Sequence, residues 1–236
     1  MQEKITIVVS SRCDESEKKD FLSNISSKCG VEHEIVFVKN DGGISLTKIY
    51  QENLDSSKTD IVVYLHDDIE VLSDNWGREV VRMFNDNKDY CIIGVAGSAE
   101  FDEGAAWWQY GKKYGQVLHR SNGKSWLTMF SQPYAEDLKE VCVVDGLFFA
   151  VCKPRLVSGF DLSFDGFNFY EIDFCLSNFV NGKYKIGVTT KIRLAHSSIG
   201  ETKKNWFDNR EKLNEKYKEF YPIKVSTTHE LKDSRV

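Results

Sequence analysis

The stretch IVVYLHDDIE, residues 61–70, decides how the chain is interpreted, because it begins with five apolar residues that predict a buried β-strand. The strand ends in His66, Asp67 and Asp68. Open α/β sheets build their ligand sites at the carboxyl ends of strands, and closely spaced oxygen and imidazole ligands suit a divalent cation. The stretch therefore favours a metal-assisted enzyme acting on a nucleotide-linked substrate. The alternative is a strand end followed by a solvated acidic turn.

The composition is that of a soluble globular protein, with 236 residues, 41% of them hydrophobic and 28% charged. The net charge of −5 argues against a nucleic-acid-binding surface, so no nucleic acid partner is predicted. No apolar stretch is long enough to span a bilayer, and a strand pattern begins at Lys4 without a signal peptide before it. We therefore expect a cytoplasmic protein. A peripheral association with the inner face of the membrane stays open. The oligomeric state, monomer or dimer, is also open.

The first hundred residues alternate between strand and helix patterns. Strands are predicted at residues 5–10, 34–38, 61–65 and 90–96. Helices are predicted at residues 15–28, 45–54 and 74–85, the last with Ser73 as its N-cap. Such alternation predicts an α/β fold with a mostly parallel sheet and helices on both faces.

The pattern weakens in the second part of the chain. Residues 98–137 are rich in glycine, aromatic and polar residues, which predicts loops and short strands, including one at 117–120. Further elements are predicted as strands at 141–151, 183–188 and 191–196 and as helices at 169–180 and 202–220. We expect a single domain over residues 1–236, divided into a nucleotide-binding half (1–100), an acceptor and catalytic half (101–222) and a polar tail (223–236).

Short motifs along most of the chain occur in the order typical of one enzyme family. They are Ser10-Ser11, Asn40-Asp41-Gly42-Gly43, Leu65-His66-Asp67-Asp68, Val144-Asp145-Gly146, Tyr170-Glu171-Ile172-Asp173-Phe174 and Leu194-Ala195-His196. In this order they resemble the inverting GT-A glycosyltransferases of the family 2 type. The resemblance implies a GT-A fold, which is a Rossmann-like central sheet flanked by helices, followed by an irregular acceptor-binding half. It also implies transfer of a sugar from a nucleoside diphosphate.

The sequence departs from the family pattern in places that concern the donor. The usual Pro-x-x-Asn after the first strand is replaced by residues 11–14, Ser-Arg-Cys-Asp. The usual Arg-Asn-x-Gly is replaced by residues 50–53, Tyr-Gln-Glu-Asn, so the arginine near the diphosphate is missing and Lys48 could replace it as a point charge. The Gln-x-x-Arg-Trp motif and the membrane helices of processive synthases are absent from the sequence, which favours transfer of one sugar.

The resemblance implies a Mn²⁺ or Mg²⁺ site formed by Asp68, His66 and His196. Positions 66 and 68 share one side of a strand, and a nitrogen ligand suits Mn²⁺ better than Mg²⁺. A cation there would neutralise the charge of the departing diphosphate. The alternative for His66 is a strand-end histidine bonded to a backbone carbonyl, and for His196 it is a buried structural histidine.

The donor contacts implied by the resemblance lie in the first half of the chain. Asp41 would accept hydrogen bonds from the nucleobase, Ser10 would add backbone or hydroxyl contacts, and Asp67 would meet the ribose or the sugar. Such a turn suits uracil or thymine, so a UDP- or dTDP-sugar is favoured while guanine stays open.

Inversion needs a base that takes the proton of the acceptor hydroxyl. Glu171 is the predicted base and Asp173 the second candidate; two positions apart on a helix, they do not share a face. The alternative is that both are helix N-terminal carboxylates stabilised by the helix dipole. Asp145, Trp107 and Trp108 are candidate acceptor contacts, although the two tryptophans could equally be core residues.

These features together predict a metal-dependent inverting glycosyltransferase. It would move one sugar from a nucleoside-diphosphate sugar to a glycan or glycolipid acceptor in surface polysaccharide synthesis. One alternative is a non-catalytic GT-A-like binding domain. A sugar nucleotidyltransferase is less favoured, because residues 10–13 lack the glycines of a phosphate-binding loop.

Overall fold

The computed structural model describes residues 4–104, 106–197 and 204–225, without the side chains of residues 204 and 205. Its strands are β1 (Lys4–Ser11), β2 (Glu32–Lys39), β3 (Ile61–His66), β4 (Ile69–Val71), β5 (Tyr90–Gly94), β6 (Ala96–Ser98), β7 (Glu100–Phe101), β8 (Lys113–Ser121), β9 (Lys124–Met129), β10 (Lys139–Val141), β11 (Val143–Val144), β12 (Phe148–Cys152), β13 (Lys185–Val188), β14 (Leu194–His196) and β15 (Ile223–Lys224). Its α-helices are α1 (Lys19–Ser27), α2 (Leu46–Ser56), α3 (Trp76–Asp86), α4 (Tyr170–Asn181) and α5 (Lys204–Tyr217). Short 3-10 helices occupy Glu15–Lys18 and Lys153–Arg155.

The central sheet has seven strands in the order β10-β13-β5-β12-β3-β1-β2. The α/β fold is confirmed, but the sheet is mixed rather than mostly parallel. Strand β1 runs parallel to β2 and β3, and β13 runs parallel to β5. Strand β12 lies antiparallel between β3 and β5, and β10 is antiparallel to β13. The strand predicted at 141–151 is divided into β10, β11 and β12, with a turn at residues 145–147 that separates the last two.

Strand β3 lies in the middle of this sheet, and its five apolar residues are fully buried. Aromatic rings cover it on the α2 and α4 side: Tyr64 stacks on Phe149 with ring centroids 4.9 Å apart, and Phe160 stacks on Phe174 at 4.1 Å. Burial on both faces explains why the strand is a continuous apolar run rather than an alternating one. Polar residues therefore occur only where the strand leaves the core, with Asp60 before it and His66 at its carboxyl end.

Helix α3 begins differently from its prediction. Its N-cap is Asn75, which adopts a left-handed conformation at φ 58°, and not Ser73. The Ser73 hydroxyl instead accepts a hydrogen bond from the backbone N–H of Arg193 at 3.0 Å and donates to the carbonyl of Lys191 at 3.3 Å. Ser73 therefore ties the segment before β14 to the end of β4.

A second sheet, in the order β11-β6-β8-β14-β4, stands at the carboxyl end of β3 and carries β9 on its edge. The hairpin β8–β9 turns at Asn122 and Gly123, whose φ angles of 51° and 72° are typical of a type I′ turn. Its strands have nine and six residues, so the prediction of only a short strand at 117–120 is wrong. In this sheet β14 lies between β4 and β8, which places His196 beside Ile69 and His119.

The carboxyl-terminal part packs back on the rest of the chain. Helix α5 covers part of the predicted helix at 202–220, and residues 202–203 lie outside the described residues. Strand β15 pairs with β7, so the predicted tail begins with an ordered strand, while residues 226–236 are outside the described part. Within the described residues, no helix is both long and apolar enough to cross a bilayer.

Candidate active site

Two strand ends bring together the residues predicted to bind a metal. One ligand atom from each of His66, Asp68 and His196 lies within 4.8 Å of the others. His66 ends β3, Asp68 lies in the turn to β4, and His196 ends β14 opposite Ile69 of β4. A backbone hydrogen bond from Ser197 N to the Asp68 carbonyl, 2.9 Å long, joins the two ends. We call these three side chains the His-Asp-His cluster.

The charges around the cluster give its two histidines different proton affinities. Burial lowers the pKa of His66, and the opposing charges of Asp68 and Asp145 do not fully offset this effect. Burial also lowers the pKa of His196, but a hydrogen bond and the charge of Asp68 outweigh it and raise that pKa overall. The His196 Nε2 lies 3.4 Å from Asp68 Oδ1. Neutral imidazole and carboxylate are the forms that bind cations, so this mixed nitrogen and oxygen set could hold a divalent metal ion.

Tyr170, the first residue of α4, contacts the cluster directly. Its hydroxyl lies 3.0 Å from His66 Nε2 and donates a hydrogen bond to the Gly146 carbonyl at 3.4 Å. If the hydroxyl proton goes to this carbonyl, the hydroxyl accepts from His66 Nε2 and the lone pair of the imidazole lies on Nδ1. Metal-binding histidines usually have such a partner on the second ring nitrogen. No role was predicted for Tyr170 from the sequence, although it stands within the predicted catalytic motif.

Replacing Tyr170 with phenylalanine is expected to weaken Mn²⁺ binding about tenfold, because His66 loses the group that fixes its tautomer and orientation. The ring packing on Tyr50, with centroids 5.4 Å apart, would remain. Calorimetric titration of Mn²⁺ measures the change. Tyr64→Phe is the matched control, since its buried hydroxyl donates to the Tyr50 carbonyl at 3.3 Å. Equal Mn²⁺ affinities for the two variants would contradict the assigned role of Tyr170.

Glu171 lies next to Tyr170 and faces the turn at residues 145–147. Its Oε2 is buried and has no hydrogen-bond partner among the described residues. Burial and the negative charge of Asp145 raise the pKa of Glu171 to about 8. A side chain on Gly146 would collide with the Tyr170 hydroxyl and touch the Glu171 carboxyl, so glycine is needed there. One buried oxygen of the Glu171 carboxyl group thus has no hydrogen-bond partner among the described residues.

Asp173, the second candidate for the base, lies on the other side of α4. It is buried, forms an ion pair with Lys216 at 2.7 Å and accepts a hydrogen bond from the Tyr217 hydroxyl at 2.9 Å. Both partners belong to α5. Of the two predicted carboxylates, Glu171 lies against the turn at residues 145–147, while Asp173 attaches helix α5 to helix α4.

Asp145 connects the cluster to the predicted acceptor residues. Its carboxylate accepts hydrogen bonds from Trp107 Nε1 at 3.0 Å and from Leu147 N at 2.8 Å. Trp107 is only 3% exposed, which favours the alternative that it is a core residue over a stacking contact with the acceptor. The indole instead positions Asp145. Trp108 is 50% exposed and stays a candidate acceptor contact.

Two of the predicted donor residues lie at the edge of the sheet beside the cluster. Ser10 is in register with His66 on the neighbouring strand. The Asp67 carboxylate accepts a hydrogen bond from Ser11 Oγ at 2.5 Å and forms an ion pair with Lys18 at 2.9 Å. These contacts hold Asp67 against β1 and leave the neighbouring Asp68 to the cluster.

The other two predicted donor residues are on the surface. Asp41 is exposed in a turn that Asn40 holds by donating to the Ile44 carbonyl at 2.8 Å and accepting from Gly42 N at 3.1 Å. Lys48 is exposed on α2 with Glu52 of the same helix 4.0 Å away. Its predicted contact with the diphosphate stays a prediction that this structure does not favour.

The comparisons with known proteins assign this mixed α/β fold to the GT-A glycosyltransferases. The chain belongs to the glycosyltransferase-like family, whose match covers residues 5–221. Among solved structures, it is similar to GalNAc-T7 with UDP, GalNAc and Mn²⁺, with a TM-score of 0.55, 10% identity and 90% of this chain covered. The chain spans about half of that protein, 47%. No curated protein gives a sequence match.

Weaker likenesses extend to two further structures. They are A197 from STIV, with a TM-score of 0.48, 12% identity and coverage of 84% of this chain and 86% of that one, and S. aureus TarS 1–349 in complex with UDP-GlcNAc, with a TM-score of 0.49, 8% identity and coverage of 84% and 60%. The GT-A fold assignment depends on the similarity to GalNAc-T7 and on the family match.

Proposed function

We propose that this protein transfers one sugar from a nucleoside-diphosphate sugar to a glycan or glycolipid acceptor, with inversion at the sugar carbon. The observation that supports the proposal most strongly is the pairing of two features at one sheet edge. A His-Asp-His cluster that could hold a cation lies close to the turn that Glu171 contacts, and the buried Oε2 of Glu171 has no partner among the described residues. The cluster would act on the leaving diphosphate, and Glu171 would act on the attacking hydroxyl.

The leaving-group side depends on His66, Asp68 and His196. A divalent cation held there would supply Lewis acidity that neutralises the charge of the departing diphosphate. Mn²⁺ is the favoured ion, because two of the three ligands are nitrogens. The Mn²⁺ and UDP in the GalNAc-T7 structure support Mn²⁺ and a UDP-sugar for this chain as well.

The acceptor side depends on Glu171. Its carboxylate takes the proton of the acceptor hydroxyl while that oxygen attacks the sugar carbon from the face opposite the diphosphate. A carboxyl group with a pKa near 8 is a stronger base than an ordinary glutamate, and the best general bases have pKa values near the working pH. Asp145, held by Trp107, would bind a second hydroxyl of the acceptor. We place this activity on the cytoplasmic side of the membrane, in surface polysaccharide synthesis.

Calorimetric titration of UDP, dTDP and GDP, each with and without Mn²⁺, tests the donor half of the proposal. We expect one uracil or thymine nucleotide to bind in the presence of Mn²⁺ and at least about tenfold more weakly without it, because the cluster and the diphosphate share the ion. If none of the nucleotides binds under either condition, the protein is a GT-A-like binding domain and not a transferase. Analysis of products formed from the bound nucleotide's sugar conjugate then distinguishes sugar transfer from nucleotidyl transfer.

A further inference from the structure

His119 and Trp126 extend a row of neighbouring rings that begins at the His-Asp-His cluster. The imidazoles of His66 and His196 have centroids 6.1 Å apart, and His119 follows at 6.0 Å from His196. The Trp126 indole stacks on His119 at 5.3 Å with an angle of 18° between the ring planes. The rings thus lead from the cluster outward onto the β8–β9 hairpin.

The hairpin fixes this pair by backbone register. His119 of β8 is directly opposite Trp126 of β9, and on its other side His119 is in register with His196 of β14. Trp126 is 41% exposed although the imidazole lies against one of its faces. A large indole on an edge strand, flattened against a polar ring and still in contact with solvent, has one face available for a ligand.

We propose that Trp126, supported by His119, is the platform on which a pyranose ring of the acceptor stacks. This inference depends on the proposed function and identifies where the acceptor lies. The carbon-bound hydrogens on one face of a sugar ring are weakly positive and apolar, and they match the negative face of an indole. His119, on the opposite face of the indole, would hold the indole plane in place beneath the sugar.

A purely structural explanation would make the pair a cross-strand contact that stabilises the hairpin. The next residue on the same strand separates the two explanations. Leu127 is 50% exposed, pairs with Leu118, and points to the opposite face of the sheet because side chains alternate along a strand. A change at Leu127 alters the exposed apolar surface of the hairpin without touching the platform.

The test uses saturation-transfer NMR on the full chain with Mn²⁺, with and without UDP. The probes are the methyl glycosides of glucose, galactose, mannose and N-acetylglucosamine at millimolar concentration. The wild-type protein should saturate the ring protons of at least one of these sugars. Trp126→Ala should reduce that signal about fivefold, Trp126→Phe should retain most of it, and Leu127→Ala should leave it unchanged.

Binding of UDP in the presence of Mn²⁺ is measured on the same samples and should be equal in all four proteins. If the wild type binds none of UDP, dTDP and GDP in the presence of Mn²⁺, the proposed function is refuted, and the sugar signal is still scored separately. An undiminished sugar signal in Trp126→Ala would overturn the platform, as would the absence of a signal from every probe in the wild type. Thermal melting of Trp126→Phe and Leu127→Ala shows whether the hairpin remains folded.

Discussion

Replacing Asp68 with alanine is expected to abolish Mn²⁺-dependent nucleotide binding, with a loss of more than about 100-fold in affinity. Asp68 is the one carboxylate of the His-Asp-His cluster. Without it, two imidazoles would have to hold a divalent cation next to a diphosphate. His196 would also lose the carboxylate that lies 3.4 Å from its Nε2 and raises its pKa. Titration of the nucleotide in the presence of saturating Mn²⁺ measures the loss.

Glu70→Gln is the matched control for Asp68→Ala. Glu70 is another acid near the same turn, in β4, but its side chain is 43% exposed and forms an ion pair with Arg120. Removing its charge alters the local field without removing a ligand, so nucleotide affinity should change less than about twofold. If Asp68→Ala binds the nucleotide as the wild type does in Mn²⁺, the cation site is not at the end of β3.

The site residues at the carboxyl end of β3 could be predicted because the pattern that identifies them lies within one short stretch of sequence. An apolar run with polar residues at its carboxyl end identifies a buried strand, and alternation places positions 66 and 68 on the same side. The approach of His196 to Asp68 depends on the pairing of β14 with β4, which no local pattern shows. The family resemblance supplied that residue. The structure brings the three predicted ligands together, while the identity of the metal stays a prediction.

The parts of the site that were missed depend on contacts between distant elements. Tyr170 reaches His66 from the start of α4, and Trp107 reaches Asp145 from the irregular segment after β7. The β8–β9 hairpin did leave a local signal, since Asn122 followed by Gly123 is a strong indicator of a two-residue turn. The mixed sheet was missed because an apolar run predicts a strand but not its direction.

Replacing Glu171 with glutamine is expected to reduce sugar transfer by about 10²–10⁴-fold while donor binding is unchanged, because an amide cannot take the acceptor proton. Transfer by the wild-type protein should rise as the pH approaches 8, since the base acts only in its ionised form and its pKa is raised to about 8. Rates measured from pH 6 to pH 9 at saturating donor and Mn²⁺ test both statements. A variant that transfers sugar at the wild-type rate would exclude Glu171 as the base.

The same substitution should stabilise the metal-free protein at pH 8. A carboxyl group whose folded-state pKa is raised holds its proton more tightly in the native state. It therefore contributes stability below its unfolded pKa of about 4.5, and this contribution is lost as the pH rises through about 8. Glutamine does not ionise, so Glu171→Gln should be more stable than the wild type at pH 8 by an amount on the order of a few kcal/mol, with the difference vanishing at pH 4.5.

Asp173→Asn should behave in the opposite way, although it changes a carboxylate in the same helix turn. Asp173 is paired with Lys216 and Tyr217, so its loss weakens the attachment of α5 and should lower the melting temperature at pH 8. Melting curves of Glu171→Gln and Asp173→Asn, recorded without metal, distinguish a carboxylate that acts in catalysis from one that stabilises the fold. A fall in melting temperature for Glu171→Gln would mean that its Oε2 has a stabilising partner in solution, and Glu171 would then lose the property that identifies it as the base.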